Sequence, residues 1–151
     1  MVQRLETALF KQVVAHTPLV SLDLIVRNQH GQVLLGQRLN RPAKGYWFVP
    51  GGRICKDETM AAAFFRLVKE ELGIERCLTQ AKSLGSYEHF YSDNFSGTDF
   101  TTHYVVLGYS LEAEIALSEL PKEQHGHYRW FDIDELLHAD DVHVNTKLYF
   151  Q

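Results

Sequence analysis

The stretch from Gly45 to Ile74, GYWFVPGGRICKDETMAAAFFRLVKEELGI, constrains the fold more than any other part of the chain. Tyr46, Trp47, Phe48 and Val49 are aromatic or β-branched and favour a short strand. Pro50-Gly51-Gly52 stops it in a turn, because proline cannot donate to a ladder and glycine permits close backbone approach. Asp57 suits the N-cap of a following helix, and Glu58 suits its first turn. Ala61, Phe64, Phe65, Val68 and Leu72 recur at helical spacing, which predicts a buried stripe, and Gly73 stands where the helix should end.

That helix has a second face. Leu67 and Glu71 are four residues apart and so are Arg66 and Glu70, which makes each pair neighbours. If strand and helix pack side by side, Glu71 projects toward Gly51-Gly52. A hard dication takes oxygen ligands, so one carboxylate, a backbone carbonyl, substrate phosphate oxygens and water would suit it. The competing reading is a solvated helix with Arg–Glu pairs and no metal. The adjacent Gly-Gly turn and the full spacing favour the metal.

The spacing resembles the Nudix hydrolase box, through Gly52, Glu58, Arg66, Val68, Glu70, Glu71, Gly73 and Ile74. Leu67 stands where the resemblance implies a metal-binding Glu. Its apolar side chain removes a ligand and a charge beside Glu71, so fewer metals and a weaker metal-activated water are expected. Either the usual chemistry survives that loss, or the metal serves only the leaving diphosphate. Four more segments extend the resemblance, and they are similar to the GDP-mannose mannosyl hydrolase branch: TPLVSLDLIV from Thr17, LLGQRLNRPAKGYWFVPGGR from Leu34, EHFYSDNFSGTDFTTHYVVLGY from Glu88, and EQHGHYRWF from Glu123. Glu70 departs from that branch, which can lack an acid there, and leaves the metal count open.

The resemblance implies an α+β Nudix fold, a mixed sheet sandwiched between helices, with Mg²⁺ or Mn²⁺ as cofactor, a GDP-sugar substrate and a homodimer. It implies a metal on the Gly51 carbonyl, Glu71 and Gln124, with Glu70 and Arg66 as candidates for further metal binding or for structure. It makes His125 the catalytic base. It gives Arg38 and Arg53 a catalytic role in stabilising departing GDP, and Asp23, His89 and Tyr104 a role in binding substrate. The implied reaction is hydrolysis of GDP-mannose, with GDP-glucose as a further substrate, at the anomeric carbon with inversion. A conventional pyrophosphohydrolase acting at phosphorus is the alternative, and a non-catalytic nucleotide-sugar sensor the third.

The same residues read on their own chemistry leave more open. Asp23 lies in a strand-like run, opposite Val20, Leu22, Leu24 and Val26; it is either solvated or a sugar-hydroxyl acceptor. Arg38 and Arg53 flank the Gly-Gly region, and their planar donor forks match phosphate oxygens. Tyr91 to Phe100 reads as a loop, either a plain connection or a cover over substrate, with His89 and Tyr104 in the flanking strands. Glu123 to His127 also reads as a loop. Its histidines titrate near neutrality, as a general base should, or are merely exposed; no further partner has zinc-site spacing.

A length of 151 residues suits a single domain, 1–151, with a sizeable core. A net charge of −4 offers no broad basic surface for nucleic acid. Cys55 and Cys77 give no disulfide framework, and no signal peptide or membrane span is apparent, so a reduced cytoplasm is expected. Helices are expected near Gln3–Ala15, Ile133–His138 and Val144–Phe150, and strands near Leu19–Arg27, Gln32–Gln37, Lys82–Tyr91, Phe100–Glu112 and Tyr128–Phe131.

Overall fold

Strand β1 (Leu19–Arg27) is buried on both faces and organises the sheet around it. The computed structural model describes residues 4–121 and 125–151, with His125 described by its backbone alone. β1 pairs antiparallel with β2 (Val33–Arg38) and with β4 (Gly51–Arg53). β2 also carries β3 (Trp47–Phe48) and β7 (His125–Phe131). On its other side β1 runs parallel to β6 (Thr102–Glu112), in register from Leu19↔Tyr104 to Arg27↔Glu112, and β5 (Lys82–Tyr91) closes the order as an antiparallel edge. The result is one mixed seven-stranded sheet.

Alternation along β1 divides the core. Leu22, Leu24 and Val26 join Phe64, Leu67, Val68 and Leu72 of helix α2 (Met60–Leu72) in one cluster. Ile25 joins Val33, Leu35, Val49, Phe131 and Leu136 in a second cluster on the opposite face. Leu136 belongs to α3 (Ile133–His138), and Tyr149 and Phe150, which follow α4 (Val144–Lys147) in a 3₁₀ turn, pack against this second cluster. The expected α+β Nudix arrangement, a mixed sheet between helices, is what the chain adopts. Helix α1 (Thr7–His16) starts later than the sequence pattern suggests, and among the described residues no helix is long and apolar enough to cross a membrane.

The segment around α2 differs from expectation in three ways. Thr59, not Asp57, caps the helix, its hydroxyl accepting from the Ala62 amide at 3.1 Å; Asp57 instead takes a left-handed φ of 65° in the preceding turn. The buried stripe is Ala63, Phe64, Leu67, Val68, Glu71 and Leu72, while Ala61 and Phe65 face outward. Leu67 is an apolar member of the stripe, so the face that meets the sheet rotates to include it. Gly51-Gly52 is not a turn: Gly51 and Gly52 pair with Asp23 and Leu22 of β1. Gly73, with φ of 72°, ends the helix as its position predicts.

Candidate active site

A cavity of about 300 Å³ opens at the β1–β4 pairing, beside β6. Six of the residues singled out in the sequence line it: Asp23, Arg38, Gly51, Arg53, His89 and Tyr104. β1 supplies Asp23, the end of β2 supplies Arg38, β4 supplies Gly51 and Arg53, and the β5–β6 pair supplies His89 and Tyr104, which stand opposite each other in register. Residues near α1 that no sequence pattern marked, Arg4 and Phe10 among them, also line it.

The two arginines face this cavity. Among the described residues neither makes an ion pair. Arg38 donates to the carbonyls of Asn40 and Arg41 at 3.3 and 3.4 Å, and its guanidinium lies over the Phe48 ring. Arg53 lies over the ring of Phe10, 4.9 Å from its centre. Two guanidinium groups in one cavity, facing the single carboxyl of Asp23, favour an anionic ligand.

Asp23 lies in the same space and behaves differently from a surface acid. Burial pushes its carboxyl up to about 7, against the lowering effects of a hydrogen bond from Tyr149 and of the Arg38 charge. His89 is pushed down to about 4 by burial, with the nearby His143 adding to the effect. Its Nε2 is buried and makes no hydrogen bond among the described residues. Burial also raises Tyr104 above the ordinary phenol range, opposed by Arg38 and Arg53. At neutral pH both rings are therefore neutral and suited to hydrogen bonding rather than to charge.

The acids of the helix segment are divided between structure and site. Arg66 binds both Glu58 oxygens, at 2.7 and 2.9 Å, and also reaches the Arg53 carbonyl at 2.9 Å and Glu70 at 3.1 Å. The Glu58 side chain is 6% exposed, and the Arg66 bonds hold its carboxyl below the usual range. Arg66 thus ties β4 to α2, and Glu70, half exposed, belongs to that brace and to a loose pair with Arg4. Glu71 is the buried acid of the helix, 5% exposed.

The donors available for a divalent cation follow from the β1–β4 ladder. Leu24 N–H bonds the Pro50 carbonyl and Ile54 N–H bonds the Val20 carbonyl. The alternation of an antiparallel ladder then turns the Gly51 and Arg53 carbonyls away from β1. The Arg53 carbonyl, on that edge, is the one Arg66 reaches from α2. The Gly51 carbonyl lines the cavity, whereas Glu71 is buried on α2 and does not line it; an oxygen pair of this kind suits a hard ion that completes its shell with phosphate oxygens and water. No cluster of three His, Cys, Asp or Glu suited to a metal occurs among the described residues. Leu67 contributes apolar contact instead: a Cβ at Gly52 would stand 2.5 Å from its Cδ2.

Gln124 lies outside the described residues. The segment His125–His127, expected as loop, forms the start of β7, and a bulge between Gln37 and Arg38 sets the backbone of His125 opposite Arg38. Extra residues at such bulges re-aim a strand next to a site. The Tyr91–Phe100 segment is a loop as expected, fastened by buried Asn94, whose amide donates to the Phe100 carbonyl and to Asp99.

The chain is similar to known proteins in sequence and in fold. A relative from Haloferax volcanii, "Low-salt glycan biosynthesis protein Agl8", is 44% identical over 103 residues, which is 68% of this chain and 64% of that protein, so the chain spans less than two thirds of its length. The MutT protein of Methanosarcina mazei Go1 superposes with a TM-score of 0.69 at 20% identity, over 89% of this chain and 92% of that one. The NUDIX domain of Shewanella oneidensis NrtR, solved with ADP ribose, gives 0.66 at 19% identity, over 97% and 96%. At those identities the solved structures speak to fold alone. The NUDIX domain model matches residues 17–151, and with the fold and the box residues in place, the chain belongs to the NUDIX domain family.

Proposed function

We propose that this Nudix hydrolase cleaves GDP-mannose to GDP and free mannose by attack of water at the anomeric carbon, with inversion. The observation that carries the reading is the pair of arginines, Arg38 and Arg53, facing one cavity beside Asp23, with no ion pair to either among the described residues. The arginines would hold the diphosphate and take up the charge that develops on it as the glycosidic C–O bond breaks. Asp23 would accept a sugar hydroxyl. His89 and Tyr104, neutral at working pH, would complete the contacts to substrate. His125 would take a proton from the water that attacks the opposite face of the sugar ring; its backbone position beside Arg38 is compatible with that role. The carbonyl of Gly51 and the carboxylate of Glu71, with Gln124, would hold Mg²⁺ or Mn²⁺. When bound, the cation supplies positive charge to the leaving diphosphate.

Leu67 supports this reading over attack at phosphorus. With an apolar residue at that place and with Glu58 and Glu70 engaged by Arg66, α2 offers one buried carboxylate rather than a multi-metal cluster. The Haloferax relative, named for glycan biosynthesis, supports a sugar-bearing substrate. GDP-glucose is a second expected substrate, and a homodimer the expected assembly. Hydrolysis of GDP-mannose with Mg²⁺ in ¹⁸O-enriched water tests the proposal. Label in mannose, with GDP as the other product, supports it. GMP with mannose 1-phosphate, or label in phosphate, refutes it in favour of a pyrophosphohydrolase.

A further inference from the structure

Asp23 is held from behind by a residue that does not line the cavity. The Tyr149 hydroxyl donates to Asp23 Oδ2 at 2.6 Å, across 126 residues of sequence. The other carboxylate oxygen points elsewhere: a Cβ placed on Gly51 would lie 2.6 Å from Asp23 Oδ1. Gly51 lines the cavity, so Oδ1 is turned toward the space a ligand would fill. One oxygen is thus committed to the protein and one is presented.

The sequence makes room for this bond at a second place. In the parallel β1–β6 register, Asp23 stands beside Gly108. A Cβ there would come within 2.9 Å of Tyr149 Cε1. Gly108 is an interior strand residue without a positive φ, so its requirement is space rather than backbone conformation. The Tyr149 ring is then wedged edge-on against Tyr87, with centroids 4.5 Å apart, and near His89 at 6.1 Å. Glycine clears the path, Tyr87 fixes the ring and the hydroxyl reaches the carboxylate.

We propose that Tyr149 is a positioning residue, which orients Asp23 so that Oδ1 accepts a hydroxyl of the sugar while the diphosphate is held independently by Arg38 and Arg53. The inference rests on the nucleotide-sugar reading of the cavity. It separates two parts of one ligand: Tyr149 acts on the sugar end and not on GDP.

The test is a cycle of Tyr149→Phe, Asp23→Asn and the double variant, read with both GDP-mannose and GDP. Tyr149→Phe should raise KM for GDP-mannose about tenfold, as expected when the hydrogen bond that orients Asp23 is lost. GDP inhibition should stay unchanged, and the double variant should be no worse than Asp23→Asn. Gly108→Ala, which leaves both partners intact but crowds the ring, should reproduce the Tyr149→Phe phenotype. Equal weakening of GDP and GDP-mannose, an unchanged KM in Tyr149→Phe, or additive effects in the cycle overturns the inference. Calorimetric binding of GDP-mannose reads the same cycle without turnover. An enzyme that attacks phosphorus, or does not turn over GDP-mannose at all, therefore refutes the proposed reaction, while the binding cycle still decides the role of Tyr149.

Discussion

Replacing Leu67 by Glu restores the acid that the Nudix box has at this place, and the structure sets a conflict that a divalent cation alone can relieve. Leu67 is 3% exposed within the cluster that joins α2 to β1, and its Cδ2 rests against Gly52. Truncation to Ala should cost about 2–5 kcal/mol, the range for a buried leucine. Glutamate loses most of that apolar contact and also places a carboxylate one helical turn from buried Glu71. In EDTA the variant should therefore be destabilised by about 3–4 kcal/mol or more. An ion held by both acids would offset this, by about 2.7 kcal/mol when its concentration is about a hundred times its Kd. Urea unfolding near neutral pH, in EDTA and in Mg²⁺, checks the sign. Leu67→Glu should gain more stability from Mg²⁺ than the wild type does, Leu67→Ala should not, and calorimetry should show a higher metal stoichiometry for the glutamate variant alone. If Leu67→Glu is as unstable in Mg²⁺ as in EDTA, with the wild-type stoichiometry, then position 67 does not face the metal edge and the reasoning fails.

Three further outcomes follow from the same geometry. Arg66→Ala strands a nearly buried Glu58 and unties β4 from α2, so it should cost about 3–5 kcal/mol in urea unfolding; a loss under about 1 kcal/mol would show that the brace is only a surface pair. His89 has a folded pKa near 4 and an ordinary value of 6.5, so the unfolded chain takes up the proton first and stability should fall as pH drops from 6.5 to about 4. The unfolding midpoint of His89→Gln should lose that component of its pH slope, and an unchanged slope would refute the assignment. His125→Gln should lower kcat about 10²–10⁴-fold while calorimetric Mg²⁺ affinity barely changes; an unaltered rate removes His125 from the role of base.

What the sequence disclosed depended on whether the cause was local. Gly73 ends α2 because a left-handed position there favours glycine, and the alternation along Leu19–Val26 placed β1. The cap was misplaced because Asp57 and Thr59 are both good capping residues, and only the actual path of the turn, with Asp57 at positive φ, selects between them. Gly51-Gly52 looked like a turn, yet its role is to let β4 lie against β1 and under Leu67, which are tertiary contacts. The site residues on separate strands, Asp23, Arg38, Arg53, His89 and Tyr104, were named mainly through family resemblance, and the sheet brings them to one cavity. Tyr149 had one signal in the sequence, the interior glycine of β6. An interior strand glycine announces a close approach but does not name what approaches.

The box therefore performs two jobs with residues that sequence spacing cannot tell apart. Arg66 pairs with both Glu58 and Glu70 and locks the helix to the strand that carries Arg53. That lock fixes where the Arg53 guanidinium enters the cavity, because its own carbonyl is the acceptor Arg66 uses. Moving Arg66 should thus disturb diphosphate binding through Arg53 as well as stability, although Arg66 does not itself line the cavity. The positive charge facing the cavity then comes from Arg4, from Arg38 of β2 and from Arg53 of β4, while the acid Glu71 and the apolar Leu67 are buried on α2. Under the proposed reaction, a helix so arranged would steady one cation beside a departing diphosphate rather than assemble several around an attacking water.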